Sequence, residues 1–327
     1  MSGRALRRCA LGGISLATTA VLLVVALPRT SHSSWDDVVE ELPQVQTRAL
    51  VLAAALWFVG LYAHTILLTG VLPGLRRRHA FALNLGGSCV SNVLPLGGAA
   101  GAALNWAMLS SWGFDRASVV TFTTTTNVIV AIVKVAIALA GLVALVTMPS
   151  LRGALPHAGA VLFAVLGALA LVAVVALVIR HRGRRRAREG EPHRLRRAIR
   201  EIRSAATQAV RRRWIPVAFG ALTYPLLQLA LLAACSHALA LHLGLGSIAV
   251  AYAADRVLTL VPLTPGGAGF AETGMTAVLI AFGADPTASA AAVLLYRCFT
   301  YYVEIPLGGL VTLGWAVRRG ARARTAV

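Results

Sequence analysis

The stretch TLVPLTPGGAG at residues 259–269 interrupts an apolar run that extends from 248 to 283. A similar stretch, NVLPLGGAAG at residues 92–101, interrupts an apolar run from 80 to 114. Proline ends regular helix because it lacks an N–H and clashes with the preceding turn, and glycine weakens helix through its conformational freedom. The sequence therefore predicts two helical hairpins, each made of short helices on either side of a break.

The composition places these hairpins in a membrane. Hydrophobic residues make up 57% of the chain and charged residues only 13%, whereas soluble domains carry about 25% charged residues. Apolar runs of about 20 residues are long enough to cross a bilayer. The predicted fold is an all-α polytopic membrane protein, a single domain 1–327 with two broken or re-entrant hairpins and six full spans. The full spans are 9–27, 49–72, 117–147, 157–179, 215–243 and 288–316.

The arginines indicate the orientation of these spans. The net charge is +19, and the basic residues lie in blocks between apolar runs, the largest at 180–213. Cytoplasmic loops are enriched in Lys and Arg, so we expect this loop and both termini in the cytoplasm and the chain in the plasma (inner) membrane. Helical spacing of apolar residues within the loop favours an amphipathic helix on the anionic inner leaflet over a solvated linker. The same block pattern argues against nucleic acid as a partner.

The two hairpins correspond to each other in position. Pro95 aligns with Pro262, and the glycines at 97–98 align with those at 266–267 after a gap of two residues. In the predicted topology the hairpins enter from opposite sides, as in an inverted repeat whose broken helices surround a binding site. The alternative is that the glycines serve only close packing. Candidate substrate-binding residues at the breaks are Asn92, Pro95, Gly97, Gly98, Pro265, Gly266, Gly267 and Gly269.

Ionisable residues at bilayer depth are further candidates, because an unpaired charge there is costly. Glu272 lies on the first turn after the second break, where it can interact with the helix N-terminus or carry a proton. Arg256 and Arg297 are natural partners for Glu272 or for a substrate phosphate, since guanidinium binds both with two hydrogen bonds. A structural ion pair is the alternative. The structural interpretation is favoured for Lys134, Asp255 and Glu304.

The span 117–147 carries a polar cluster, Thr121–Thr126 followed by Asn127. Two interpretations are open. The cluster lines a polar seam, or the threonine hydroxyls bond back to carbonyls of their own helix; the second is favoured.

Sequence signals of catalysis are missing. There is no G-x-S-x-G, H-E-x-x-H or Walker motif, and the cysteines are not spaced as metal ligands. We therefore expect no enzyme activity, no cofactor and no metal.

The segment 262–309 resembles the C-terminal signature of flippase-like membrane proteins related to the transmembrane region of lysylphosphatidylglycerol synthases. The run PGGAGFAE at 265–272 and the later Tyr296-Arg297 pair match in order and spacing. The first motif matches less well: the family continues after its proline into Gly-Glu and then Arg, whereas residues 101–105 read GAALN. The resemblance assigns to the family's second motif Pro265, Gly266, Gly267, Gly269, Glu272 and Arg297.

The resemblance implies an integral membrane protein that moves lipids, or lipid-linked precursors, between leaflets. We expect its substrate to be a membrane lipid with an anionic or zwitterionic headgroup. We expect no lysyl-lipid synthesis, since no soluble aminoacyl-transferase domain is present. Two alternatives remain open. One is an ion-coupled transporter of a small solute, and the other is a non-transporting scaffold for an envelope-biosynthesis enzyme.

Overall fold

The computed structural model describes residues 19–94, 97–147, 211–259 and 264–325, together with 204 and 207. This part of the chain is all-helical and contains no strand. The predicted span 157–179 and most of the Arg-rich loop 180–213 lie outside it. The helices are α1 (Thr19–Ser31), α2 (Trp35–Glu41), α3 (Thr47–Val71), α4 (Arg77–Val93), α5 (Gly97–Ser111), α6 (Arg116–Thr147), α7 (Trp214–Ala238), α8 (Leu245–Leu258), α9 (Phe270–Ala281), α10 (Pro286–Arg297) and α11 (Glu304–Thr325).

Three of the described helices, α3, α6 and α7, are long and apolar enough to cross a bilayer. They coincide with the predicted spans 49–72, 117–147 and 215–243, although α7 ends at Ala238, just before Ala240 turns the chain with a φ of 53°. The described part of the predicted span 9–27 forms α1, which continues past Pro28 to Ser31. The predicted span 288–316 is not one regular helix, because a π-helical segment, Cys298–Tyr302, separates α10 from α11.

Helices α3 and α7 pack closely through glycine. A Cβ added to Gly220 would lie 2.5 Å from the Leu67 nitrogen and 2.7 Å from the Ala63 carbonyl oxygen. A Cβ on Gly70 would lie 2.9 Å from a methyl of Val217. Helices in lipid associate mainly by such close backbone approach, since there is no hydrophobic effect between them. The glycines therefore let these two long helices lie against each other.

Both predicted hairpins are present as packed helix pairs, α4 with α5 and α8 with α9. In the first pair, a Cβ on Gly101 would lie 2.3 Å from the Ser91 hydroxyl and 2.8 Å from the Gly87 carbonyl oxygen. In the second pair, a Cβ on Gly274 would lie 2.2 Å from a methyl of Leu258. Each pair thus depends on glycine for contact between its two helices.

The largest buried core surrounds α8, α9 and α10. Tyr296 is fully buried there, as are most of the small residues of α10. Leu231 and Leu232 of α7 pack against this cluster, and Leu27 of α1 covers it from another side. The second hairpin is therefore held on several sides by protein.

Capping fixes where α2 and α6 begin. The Ser34 hydroxyl accepts from the Asp37 N–H at 3.1 Å, and Asp37 accepts from the Ser34 N–H at 2.7 Å. Asp115 accepts from the Ser118 N–H at 3.1 Å in the same way. These hydrogen bonds lower the pKa of both carboxyl groups, because they favour the ionised form.

Candidate functional site

Three glycines give the second break its shape. Gly266, Gly267 and Gly269 have φ values of 57°, 73° and 85°, a region in which a Cβ is strained. A Cβ on Gly266 would also lie 2.4 Å from the Tyr301 ring and 2.7 Å from Asn92 Oδ1. Position 266 therefore requires glycine for two reasons. Its φ is positive, and Asn92 of the first hairpin approaches it too closely for a side chain.

Glu272 closes this break from inside the protein. Its side chain is fully buried, with Oε2 accepting from the Gly269 N–H at 2.7 Å and Oε1 accepting from Arg297 Nε at 2.8 Å. Arg297 is 3% exposed and also donates from Nη2 to the Gly266 carbonyl at 3.3 Å. The carboxylate thus occupies the position at the N-terminus of α9 that favours an anion. In this arrangement the pair holds the shape of the break.

A second buried ion pair lies beside the first. Asp255 is fully buried and accepts from Arg256 Nε at 2.8 Å, and its other oxygen is 3.9 Å from Arg297 Nη1. Arg256 also donates to Gln228 Oε1 at 2.9 Å and lies over the Tyr252 ring, 4.9 Å from its centroid. Each arginine therefore has a carboxylate partner, as a guanidinium in a low-dielectric site requires.

Tyr301 joins the two breaks. Its hydroxyl lies 2.6 Å from the Asn92 carbonyl oxygen and 3.1 Å from the Pro265 carbonyl oxygen. The hydroxyl has a single proton to donate, so the two carbonyls share it. The Arg297 guanidinium lies over the Tyr301 ring, 4.6 Å from its centroid. The ends of α4 and of the second break are thus connected through one side chain of the π-helical segment.

A polar cavity of about 330 Å³ lies where the two breaks meet. Its wall comes from both hairpins, from α6 and α7, and from the segment that joins α10 to α11. The candidate residues that line it are Asn92, Gly97, Gly98, Arg256, Gly266, Gly267 and Arg297.

Lys134 contributes a positive charge to this cavity. Its ammonium group donates to Thr259 Oγ1 at 3.3 Å, and no carboxylate of the described residues lies within ion-pair distance of it. Glu304, which also lines the cavity, accepts from Trp57 Nε1 at 3.3 Å. Since both arginines are paired, Lys134 is the cation best placed to meet an incoming anion.

A second chamber of about 270 Å³ adjoins the first between α3, α4, α5 and α6. The two spaces share part of their lining, namely Ser88, Ser91, Asn92 and Gly98. In this second chamber, Asn84 Nδ2, Asn105 Oδ1 and the hydroxyls of Thr123 and Thr126 are buried without a partner among the described residues. The interpretation that the threonines bond back to their own helix is therefore wrong for Thr123, Thr125 and Thr126, whose buried hydroxyls have no partner among the described residues.

The remaining candidates lie behind or beside the cavity. Pro265 and Glu272 are buried in the wall of the second break. Gly269 faces α1, where a Cβ would lie 2.4 Å from the Leu22 Cβ. Pro95 lies outside the described residues.

Several residues near the two spaces were not singled out as candidates from the sequence. Lys134 was assigned a structural role because nothing in the sequence places it opposite the second break. Tyr301 was not identified as a candidate from the sequence, although its hydroxyl reaches a carbonyl 209 residues away. The spacing of Asn84 and Asn105 on consecutive helices was the available signal for the second chamber.

The described residues offer no group of three or more His, Cys, Asp or Glu side chains that could hold a metal ion. The site is instead a polar cavity between broken helices in a multi-pass membrane protein, lined by Lys134, two arginines that are paired with carboxylates, and Glu304. The family model of the lysylphosphatidylglycerol synthase transmembrane region matches residues 12–308. The chain therefore belongs to this family, which confirms the resemblance found in the sequence. A comparison with curated proteins gave no match.

Proposed function

We propose that this protein is a lipid translocase that moves a lipid with an anionic headgroup between the leaflets of the plasma (inner) membrane without changing it chemically. One observation carries the proposal: the polar cavity between the two breaks contains Lys134, a cation without a carboxylate partner among the described residues. An ammonium group at such depth is costly unless it meets an anion or water. A lipid phosphate provides that anion while its acyl chains stay in the bilayer.

The proposed topology has six full spans and two re-entrant hairpins related as an inverted repeat, with both termini in the cytoplasm. Support comes from the three long apolar helices and from the two helix pairs with their Pro/Gly breaks. Broken backbone at membrane depth is tolerated where it lines a cavity, and substrate sites of inverted-repeat transporters lie between such breaks. The Arg-rich loop 180–213 would lie on the anionic inner leaflet, where an envelope-biosynthesis enzyme is a further proposed partner.

In the proposed mechanism the two hairpins rock against each other around the bound headgroup. Glu272 and Arg297 keep the second break rigid, since their bonds are made within it. Tyr301 is the contact that must change, because its hydroxyl joins the second break to the end of α4. Loss of either of these hydrogen bonds would let the cavity open toward one leaflet.

The test is a leaflet-translocation assay with the purified full chain in phosphatidylcholine vesicles. The vesicles contain phosphatidylglycerol labelled with a fluorophore on its acyl chain, and dithionite bleaches the outer leaflet only. We expect the wild-type protein to make the inner-leaflet label accessible. Lys134→Gln should slow this by about tenfold or more, because a hydrogen bond to a charged group contributes about 1.5–3 kcal/mol. Lys134→Arg, which keeps the charge, is the control and should retain most of the rate.

Equal bleaching in protein-containing and empty vesicles would contradict the translocase proposal and favour the solute transporter or the scaffold. Translocation that is unaffected by Lys134→Gln would show that lipid moves by a route other than this cavity.

A further inference from the structure

Glu304 is a carboxylate in the wall of the cavity between the two breaks, and it has no cation beside it. Its side chain is 3% exposed and lines this cavity. Its Oε1 accepts from Trp57 Nε1, a neutral donor, at 3.3 Å. No Lys, Arg or His of the described residues lies within ion-pair distance of its carboxylate. The proposed mechanism assigns no task to this group.

The charges around the cavity balance as long as no anion enters it. Among the described residues, three cations and three carboxylates lie in its wall or directly behind it, so their formal charges cancel: Lys134, Arg256, Arg297, Asp255, Glu272 and Glu304. A lipid phosphate that enters beside Lys134 adds one negative charge. An uncompensated charge in a low-dielectric site is costly, and a buried carboxyl group avoids that cost by binding a proton.

Glu304 is the carboxylate that can bind this proton at the smallest cost. Asp255 and Glu272 are fully buried behind the wall, and each is hydrogen-bonded to an arginine. A proton on either of them would break an ion pair and leave a buried guanidinium without its counter-charge. A proton on Glu304 breaks no ion pair and leaves its hydrogen bond from Trp57 in place, since a carboxyl oxygen still accepts.

The groups that face Glu304 from the other helices do not compete for this proton near neutral pH. Trp57 of α3 and Ser88 of α4 do not titrate there, arginine keeps its proton, and an isolated phenol titrates at about pH 10. His64 of α3 is separated from the cavity by Tyr224, on whose ring it packs at 4.8 Å. The titratable side chains that line the cavity together with Glu304 are Lys134 of α6, Tyr224 of α7, Arg256 of α8, Arg297 of α10 and Tyr301 of the π-helical segment.

Water can deliver the proton, because the cavity has a volume of about 330 Å³ and a polar lining. At about 30 Å³ per molecule, this space holds several waters. We infer that Glu304 binds a proton when the anionic headgroup enters and releases it on the other side, so that one proton crosses the membrane with each headgroup. This inference rests on the proposed function and adds its energy source, a proton gradient.

The experiment measures translocation of labelled phosphatidylglycerol in vesicles with a pH difference across the membrane. The outside is held at about pH 8 and the lumen at about pH 6 or 8, a difference that changes the ratio of protonated to ionised carboxyl by about a hundredfold. Valinomycin with equal K⁺ on both sides keeps the membrane potential at zero. We expect the acidic lumen to raise the initial rate of outward translocation by about threefold or more, because proton uptake and headgroup binding favour each other.

Glu304→Gln is the decisive variant, because its amide oxygen can still accept from Trp57 but cannot bind the proton. Each variant is judged by the ratio of its rates with acidic and with neutral lumen, so that a change in its basal rate does not enter. The ratio should fall to about 1 in Glu304→Gln. It should persist in Lys134→Arg, whose positive charge does not depend on pH, and in Glu40→Gln, which changes an exposed carboxylate on α2.

The charge that moves gives a second readout, which a purely structural role of Glu304 would not alter. A headgroup that travels with its proton is neutral, so a K⁺ diffusion potential at equal pH should leave the wild-type rate unchanged. In Glu304→Gln the headgroup travels with its negative charge, and an inside-negative potential should therefore accelerate outward translocation.

The wild-type chain alone provides a test that does not depend on the folding of a variant. The detergent-solubilised chain is titrated calorimetrically with dihexanoyl-phosphatidylglycerol in buffers of different ionisation enthalpy, which counts the protons taken up on binding. We expect uptake of up to about one proton per headgroup and tighter binding as the pH falls. Binding without proton uptake at any pH would overturn the inference.

The outcomes separate this inference from the proposed function. Equal wild-type rates with acidic and with neutral lumen would overturn proton coupling and leave the translocase proposal in place. A wild-type ratio in Glu304→Gln would show that another group binds the proton and would overturn the assignment to Glu304. If the wild-type protein moved no lipid under any of these conditions, both proposals would be wrong.

Discussion

At the scale of single residues, Glu272 makes two contacts that a ligand would otherwise make. Its carboxylate accepts the N–H of Gly269 at the start of α9 and the guanidinium of Arg297. A fully buried carboxylate is stable only with such partners, and here both come from within the chain. The residue that stands out in the sequence as a charge near a break therefore serves first to fix the backbone on which the cavity is built.

Replacing Glu272 by glutamine should destabilise the protein strongly. Glu272→Gln leaves Arg297 buried without its principal counter-charge, and removal of one partner from a buried pair costs about 3–5 kcal/mol. The midpoint of thermal unfolding in detergent should fall accordingly. The control is Glu272→Gln/Arg297→Met, which removes both charges and should be less destabilised than the sum of the two single changes. Strictly additive losses would show that the two side chains are not coupled.

Gly266 should not tolerate a side chain. Gly266→Ala places a Cβ at a φ of 57° and 2.4 Å from the Tyr301 ring, and the left-handed conformation alone costs about 1–2 kcal/mol. Unfolding should occur at a clearly lower temperature than in wild type. Gly98→Ala is the matched control, because Gly98 lines the same cavity while its Cβ would meet nothing within 4 Å. Equal stability of the two variants would mean that the break does not have the described backbone.

At the scale of elements, the sequence contained enough information to predict the two hairpins and a site between them, but not the side chain that joins them. Pro/Gly clusters within apolar runs predicted the positions of both breaks, and long apolar runs predicted α3, α6 and α7. The π-helical segment after α10 was not predicted, since Cys298–Tyr302 has no proline or glycine to mark it. In that segment, the Tyr301 hydroxyl contacts carbonyl groups at both breaks. This contact depends on the folding of distant parts of the chain, so a local sequence pattern does not reveal it.

The packing of α3 on α7 should be sensitive to one methyl group. Gly220→Ala places a Cβ 2.5 Å from the Leu67 nitrogen and 2.7 Å from the Ala63 carbonyl oxygen, and because these are backbone atoms the helices must move apart. Overpacking of this kind typically costs about 1–3 kcal/mol, which unfolding of the purified variant would measure. Gly314→Ala on α11, whose Cβ would meet nothing within 4 Å, should unfold like wild type. If Gly220→Ala unfolded like wild type, α3 and α7 could not be in the close contact described.

At the scale of the whole molecule, the candidate site is assembled from helices far apart in sequence. Lys134 of α6 meets Thr259 at a separation of 125 residues, and Tyr301 meets Asn92 at a separation of 209. The sequence alone identified the glycines of the second break and Arg297 as candidates, because these residues belong to one sequence motif. The lack of a carboxylate partner for Lys134 was not predictable from the sequence. It depends on the folded structure, in which the nearby carboxylates bind Arg256 and Arg297 instead.

The central claim is that lipid moves through the cavity between the two breaks, and blocking this cavity tests it most directly. A Gly98→Cys variant, in a background with the four native cysteines replaced by alanine, is modified with a benzyl methanethiosulfonate and tested for translocation of labelled phosphatidylglycerol. Gly98 lines both spaces, so we predict that the adduct lowers the rate to that of empty vesicles. The same adduct on a Gly314→Cys variant should leave the rate unchanged. Undiminished translocation with the adduct in place on the Gly98→Cys variant would contradict the account.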